Sequence, residues 1–538
     1  MTVLVPTYII NVLFINFSYQ QKGCIALFLI ALSPILWLVI ALSVLHMPAH
    51  KACSAALIIA IAAAMTMFGL DGKLAAEAAL DGVALACWPI LLVIIAAIFT
   101  YNLVVHTKGM EVIKSMLSSV SSDRRALILL IGWGFGGFLE GMAGFGTAIA
   151  IPAGMLAGIG IPPVMAVGVC LIANSVPTAY GSIGIPLVTL GSVTGIDATT
   201  LAGFTSLQLA PLTLLCPFLM TIVSGEGMKG LKGMGIMCLA AGLAFLIPEY
   251  LIASTMGPEL AVVAGSIGAM AAIVACAKMF PVNNPEYEMH PDHTGTEEEV
   301  TAGKGLVAWL PFILIFVFLL LTSKLVPGIH DPLSAIKSSV LIYSGEGGTP
   351  YTFTWVNTPG ILIFLAAFIG GTVQGAGMGE MLGVLKKTVV NLRFTIVTII
   401  TVIATAKVMD HSGMTLELAH TAVAVTGTMY PMVAAFIGSI GTFITGSATS
   451  SCVLFGKLQT GSAQAIGASE QVQAWIAASN ATGACAGKMI SPQSIAIGVA
   501  AIGAKGIDGQ LLQFAVKVYL PFIIVMGCIV YFGQSLVG

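Results

Sequence analysis

The sequence predicts an all-α polytopic membrane protein with about 12–14 transmembrane helices, arranged as two repeats that each carry a re-entrant hairpin and a broken helix. Three observations carry that expectation. Of the 538 residues, 58% are hydrophobic and only 8% charged, against about a quarter charged in soluble domains. Apolar windows long enough to span a bilayer recur along the whole chain. Two Gly/Ser-rich segments also match each other in order and spacing.

The clearest windows are 24–45, 52–69, 83–104, 163–183, 206–224, 234–249, 259–279, 306–326, 357–373, 394–409 and 513–532. Stretches near 126–158, 414–430, 432–456 and 472–503 are apolar but interrupted by Gly, Pro, Ser and Thr. Backbone facing lipid must satisfy its own hydrogen bonds, so such irregular stretches belong inside the protein or around a cavity. Function is sought there. The chain divides into N-terminal helices (1–125), a first module (126–200), intervening helices (201–429, with loops 281–305 and 327–356), a second module (430–508) and a C-terminal helix (509–538).

The net charge of about −2 lacks the basic footprint that nucleic-acid binding needs. The ten cysteines form no C-x-x-C pair and lie mostly in apolar runs, so they read as small buried hydrophobes. Residues 1–20 show neither a positive n-region nor a small-residue cleavage site, which argues against a cleaved signal peptide. Lys108, Lys114, Arg124 and Arg125 in 105–125, Lys229 and Lys232 in 225–233, and Lys386, Lys387 and Arg393 in 386–393 mark these segments as cytoplasmic. Counting spans from them puts loop 327–356 outside and loop 281–305, with Glu297, Glu298 and Glu299, inside.

The internal match is specific. Phe138, Gly141 and Ala143 in FLEGMA recur 305 residues later as Phe443, Gly446 and Ala448 in FITGSA. Asn174, Gly181 and Pro186 recur 306 residues later as Asn480, Gly487 and Pro492, and Gly195-Ile196-Asp197 is echoed by Gly506-Ile507-Asp508. Duplicated halves with interrupted helices in corresponding places point to a secondary transporter with its site between the repeats. Close helix packing through small residues would explain the glycines as well. It leaves Glu140 and Lys488 unexplained, because charges at membrane depth are costly unless they serve a pathway or a partner.

Broken helices expose unpaired N–H groups and a positive dipole end, which suits a carboxylate. Thr147, Ser447, Thr449, Ser450 and Ser491 add hydroxyls, so a small organic anion is the natural guest. Lys488 can add charge to that site, or pair with a carboxylate or snorkel instead. Glu140 is the best proton carrier, since a carboxyl desolvated at this depth can load and unload a proton; a permanently neutral, hydrogen-bonded Glu is the plainer reading. Lys407, Asp410 and His411 form a second polar cluster that reads equally as a helix end facing water. There is no H-E-x-x-H, G-x-S-x-G, P-loop or dinucleotide fingerprint, and no pattern for a metal or other cofactor, so an enzyme is the weaker class.

The stretches FLEGMAGFGTAIAIPAGMLAGIGIPP, CLIANSVPTAYGSIGIP, VTGID, FITGSATSS, FGKLQ and GKMISPQSIAIG resemble the bacterial lactate permease family across about 126–200 and 430–505. The resemblance implies proton-coupled uptake of L-lactate, with D-lactate and glycolate as related substrates, by a multi-pass protein of the bacterial cytoplasmic (inner) membrane. It further implies inverted repeats with re-entrant hairpins, an elevator motion and a homodimer embedded in membrane lipid. By motif, Glu140, Gly141, Gly144 and Gly146 would form the first hairpin tip, with Asn174, Tyr180 and Ser182 at the first break. Thr445, Gly446, Ser447, Thr449 and Ser450 would form the second tip, with Asn480, Lys488, Ser491 and Gln493 at its break. The family's second motif reads TGSDTSS, and this chain has Ala448 in place of the Asp. It also has Asp410-His411 where the family has an uncharged Asn-Tyr pair, which leaves Glu140 or Asp410 to carry the coupling proton. The competing readings are a sodium- or proton-coupled carrier of another small carboxylate, a proton-relay subunit of a larger complex, and a channel.

Overall fold

The computed structural model describes residues 27–45, 47–144, 146–280, 284–288, 301–323, 325–504 and 506–538. Residues 1–20 and the acidic run Glu297–Glu299, both read above, lie outside the described set.

Among the described residues ten helices are long and apolar enough to cross a membrane: Ala49–Thr66, Gly72–His106, Arg124–Met142, Ala198–Ser224, Gly235–Thr255, Ala261–Met279, Ala302–Leu321, Met378–His411, Met414–Thr445 and Asp508–Val537. Pro163–Asn174 and Pro177–Thr194, bent by 60° at their junction, make an eleventh if taken together. Leu27–Leu42, Thr147–Gly158, Pro359–Val373 and Pro492–Ala501 are apolar but shorter. The expected 12–14 crossings overshoot because these pieces are short and because helices Ala448–Ala465 and Glu470–Ile490 are rich in Ser, Thr, Gln and Asn. Both polar helices are buried almost throughout. They are screened from lipid, so their side chains find partners inside the protein.

Within the second module, helices Tyr430–Thr445 and Glu470–Ile490 pack through small residues. Gly438 lies against the Asn480 backbone, Gly483 against Ala435 and Gly487 against Ser439, so a side chain at any of these would collide with the facing helix. Helix Arg124–Met142, apart from its first-turn arginines and Glu140, is apolar and buried across its whole apolar window, as a central helix must be. Its middle, Leu129–Phe135, is π-helical, a local widening often found near functional sites.

Two ends of the molecule are distinct. At one, Arg125 is fully buried, pairs with Asp123 at 2.7 Å and donates to the carbonyls of Gly230 (2.7 Å) and Lys232 (3.2 Å). Its guanidinium also stacks over the Tyr287 ring at 4.0 Å, so segments 119–125, 225–233 and 284–288 are tied into one face. At the other, strands Lys337–Val340 and Tyr351–Thr354 form an antiparallel hairpin. Trp88 donates to the Thr354 carbonyl (3.0 Å), and the Ser344 hydroxyl donates to Glu77 (2.6 Å). Helix Gly72–His106 runs between these ends, so hairpin 337–354 and segments 119–125 and 284–288 lie at opposite ends of it. Segment 386–393 needs correction: Lys386, Lys387 and Arg393 lie within the continuous helix Met378–His411. At 34 residues that helix is about 50 Å long, more than a bilayer core is thick, so its charged portion need not be a loop.

Candidate functional site

The second hairpin tip forms because helix Tyr430–Thr445 ends on Gly446 in the left-handed region (φ 68°). Ser447 then starts helix Ala448–Ala465 by accepting the Ser450 N–H at 3.2 Å. The Thr445 hydroxyl donates to the Gly441 carbonyl (2.7 Å) and accepts the Ser447 N–H (3.2 Å), which fixes the turn. The first tip is built on two left-handed glycines, Gly144 (φ 60°) and Gly146 (φ 88°), and Thr147 closes it by donating to the Gly144 carbonyl at 2.8 Å.

The breaks differ. After Asn174 the first broken helix passes through a 3-10 turn, Pro177–Tyr180, and then three left-handed residues, Ser182 (φ 48°), Ile183 (φ 58°) and Gly184 (φ 73°). Left-handed backbone costs a non-glycine residue roughly 1–2 kcal/mol, and such strain clusters at functional sites. The second break is a single extended residue, Ser491 (φ −62°, ψ 126°), between helices Glu470–Ile490 and Pro492–Ala501. Each broken helix is tied to the tip of its own module. Ser182 Oγ donates to the Ala143 carbonyl at 2.7 Å, and Lys488 Nζ donates to the Gly446 carbonyl at 2.7 Å.

A chamber of about 240 Å³ lies between these parts. It is smaller than the roughly 300–1,000 Å³ typical of drug-sized pockets and so suits a small solute. Of the residues singled out from sequence, Glu140, Ser182, Thr445, Gly446, Ser447, Thr449, Ser450, Lys488 and Gln493 line it. Ala448, the site of the missing Asp, lines it too, so Glu140 is the one acidic residue in the wall among the described residues. The first-turn N–H groups of helix Ala448–Ala465 have no partner within the helix, which gives this wall a positive end.

The remaining sequence candidates lie elsewhere. Gly141 packs on Val262 and Val263, and Gly144, Gly146 and Thr147 shape the first tip without reaching the chamber wall. Tyr180 points away and donates to the Ala202 carbonyl at 2.7 Å. Ser491 is wholly buried, with its hydroxyl unpartnered. Asn174 stands beside Glu140 without a well-formed hydrogen bond, so both its amide atoms and Glu140 Oε2 are buried without a partner. Asn480 is not at a break: it sits mid-helix and accepts from Gln459 Nε2 at 3.2 Å, while Gln459 Oε1 accepts from the Tyr430 hydroxyl at 2.8 Å. Asp410 is also outside the chamber, paired with Lys457 at 3.8 Å, while Lys407 pairs with Asp81 at 2.8 Å.

The far wall was not anticipated from sequence. Helix Met378–His411 presents Phe394, Thr395, Thr398 and Ile399, and His50 stacks on Phe394 at 4.4 Å. The signal was Thr395, Thr398 and Ile399 at helical spacing on one face of an otherwise apolar run. Among the described residues no cluster of three His, Cys, Asp or Glu side chains is arranged to hold a metal ion, and every described cysteine is a free thiol.

The sequence profile of the L-lactate permease family matches residues 27–537. An L-lactate permease of Streptococcus iniae is 42% identical over 457 residues, covering 85% of this chain and 94% of that protein. The glycolate permease GlcA of Escherichia coli is 34% identical, covering 95% of this chain and 96% of the relative. An Escherichia coli L-lactate permease is 33% identical, covering 95% and 97% respectively. Multiple apolar helices and a match along nearly the whole chain agree: this protein belongs to the L-lactate permease family of multi-pass membrane transporters.

Proposed function

We propose that the chain is a secondary active transporter that imports L-lactate, and with it D-lactate and glycolate, across the bacterial cytoplasmic membrane together with a proton. The relatives' names support the substrate class. One observation carries the coupling: the chamber wall holds one carboxyl, Glu140, and one ammonium, Lys488, within electrostatic reach of each other.

Those two charges compensate each other when Glu140 is ionised. A lactate anion entering then would bring an unpaired charge into a buried site, which is costly. Once Glu140 takes up a proton, Lys488 is left for the substrate carboxylate. One of its three N–H donors is committed to the Gly446 carbonyl, and two remain. The N-terminus of helix Ala448–Ala465 adds its dipole, and Ser447, Thr449 or Thr398 offers partners for the 2-hydroxyl. The carrier is then neutral overall both empty and with anion and proton aboard, while the anion-only form is disfavoured. That is the condition for symport.

The test is uptake into proteoliposomes in sodium-free medium. Glu140→Gln should abolish lactate accumulation driven by an inward proton gradient. Undiminished accumulation by the variant would remove Glu140 from the coupling, and a requirement for sodium in the wild type would replace the coupling ion.

A further inference from the structure

Besides Glu140, one other carboxyl is buried deep among the described helices without a cation. Glu249 lies in helix Gly235–Thr255, is wholly inaccessible to solvent, and neither of its carboxyl oxygens has a hydrogen-bond partner. No Lys, Arg or His acts on it electrostatically. Its Cβ faces Gly265 of helix Ala261–Met279, where an added side chain would press on it at 3.2 Å. The helix was thus built to bring a carboxyl into a space with no counter-charge. An ionised carboxyl there would carry an uncompensated charge in a dry site, which costs several kcal/mol.

Its surroundings connect it to the chamber. The titratable groups that face Glu249 are Tyr180, on the 3-10 turn of the first break, and Cys485, on helix Glu470–Ile490. The neutral hydroxyls of Thr205 and Ser206, on helix Ala198–Ser224, are likewise buried and unpartnered. Helix Ala261–Met279 contributes no charged group to this face. On the other side of the same unwound segment, Gly181 lies against Glu140, whose Oε1 would be 2.6 Å from any Cβ placed there. Consecutive residues therefore link the two acids, Gly181 lying against Glu140 and Tyr180 within electrostatic reach of Glu249. Cys485 also lies within electrostatic reach of both. The depths agree as well. Glu140 is 16 residues from Arg124 and Glu249 is 14 from Gly235, about 24 Å and 21 Å along helices whose starts are joined through Arg125.

We propose that Glu249 is a second proton-binding site of this carrier, coupled to Glu140 through the strained segment Pro177–Gly184. The proton binds at a Glu249 carboxyl oxygen and changes the side chain from an anion to a neutral acid. Releasing it requires the anion to be solvated, which requires Tyr180 to leave the Ala202 carbonyl and the segment to shift. The same shift moves Gly181 off Glu140, so the occupancy of one acid bears on the other. This inference rests on the proton-symport reading above.

The experiment uses the full chain in proteoliposomes, comparing wild type with Glu249→Gln and Glu249→Asp. Gln keeps the shape of the neutral acid, and folding is checked by gel filtration and thermal midpoint. The difference infrared spectrum of the wild type across a pH step should contain a protonated-carboxyl C=O band that is absent from Glu249→Gln and displaced in Glu249→Asp. Proton-gradient-driven accumulation of labelled lactate by Glu249→Gln should fall by roughly 5- to 100-fold, the span of a typical coupling free energy. A wild type that moves protons with lactate while Glu249→Gln accumulates lactate as well and keeps the band overturns the assignment of Glu249 alone. A wild type that moves lactate with no proton overturns the symport reading and the coupling role of Glu249 with it.

Discussion

The two modules share a plan and divide the chemistry. In both, a side chain from the broken helix donates to a carbonyl of its own hairpin tip at 2.7 Å, and these donors, Ser182 and Lys488, lie 306 residues apart like the matched asparagines. In the first module the donor is a hydroxyl, and the charge sits on the tip-bearing helix as Glu140. In the second the donor itself is the charge. Two similarly built modules thus place one acid and one base on a common chamber. The breaks diverge in the same sense. The first holds three left-handed residues, two of them not glycine, and the second a single extended serine. Strain is concentrated in the half that carries the acid.

Removing the base breaks this comparison most severely. Lys488→Met removes the ammonium within electrostatic reach of Glu140 and unties the second tip; leaving a buried charge uncompensated costs about 3–5 kcal/mol. Lactate uptake should fall by more than about 100-fold, and the thermal midpoint in detergent should drop. The double variant with Glu140→Gln should recover much of that midpoint and none of the transport. If the single variant is as stable as the wild type, the two charges are not paired.

The tip glycines sharpen it next. An added Cβ at Gly446 would overlap the Gln493 side chain, and at Gly144 would overlap the Ser182 hydroxyl, both at left-handed φ. Each Ala variant pays roughly 1–2 kcal/mol in backbone strain. Gly446 and the Gln493 it would displace both line the chamber, so Gly446→Ala should raise KM for lactate by about tenfold, whereas Gly144→Ala reaches the chamber only through Ser182 and should raise KM less while also lowering stability. Equal KM effects would mean that both tips touch substrate.

The paired asparagines separate what the sequence reveals from what it hides. Tips and chamber charges were legible because Gly, Ser and Thr clusters interrupt apolar runs and because a charge at membrane depth needs a reason. The second break was legible in part: Lys488, Ser491 and Gln493 stand at it, but offset matching put Asn480 there too, and the helix continues to Ile490 and stops where Pro492 cannot extend it. Glu249 escaped notice because AFLIPEYLI reads as the tail of an apolar window, and nothing in a linear pattern tells a lipid-facing end from a dry interior. The far wall escaped for a related reason, since threonines on an apolar helix are ordinary until another element faces them. Asn174→Ala should therefore act on the chamber, changing the pH profile of uptake through its neighbour Glu140. Asn480→Ala should cost about 1–3 kcal/mol of stability by leaving one Gln459 Nε2–H without its acceptor while Nε2 keeps the Ala434 carbonyl at 2.9 Å, with KM unchanged. A changed pH profile in Asn480→Ala would return that residue to the site.

The smallest effect is expected at Asp410, and it bears on the chain's most unusual feature. With Ala448 in the second tip, the second module has no carboxylate in the chamber, and the nearest substitute by sequence was Asp410. The structure gives Asp410 a partly exposed partner, Lys457, at 3.8 Å, in a separate small cavity beside Lys407 and Thr415. Pairs of this kind contribute about 0–1 kcal/mol, because water screens them and ordering two long side chains offsets the attraction. Asp410→Asn should leave proton-driven accumulation within about threefold of the wild type and shift stability by less than about 1 kcal/mol. The decisive comparison is with Ala448→Asp, which adds a second acid beside Lys488 and the helix N-terminus. If Asp410 is a bystander, Ala448→Asp changes the pH dependence of uptake equally whether it is made alone or together with Asp410→Asn. If its effect appears only in the double variant, the acid of the second module has moved to Asp410, and the division of charge between the two halves must be redrawn.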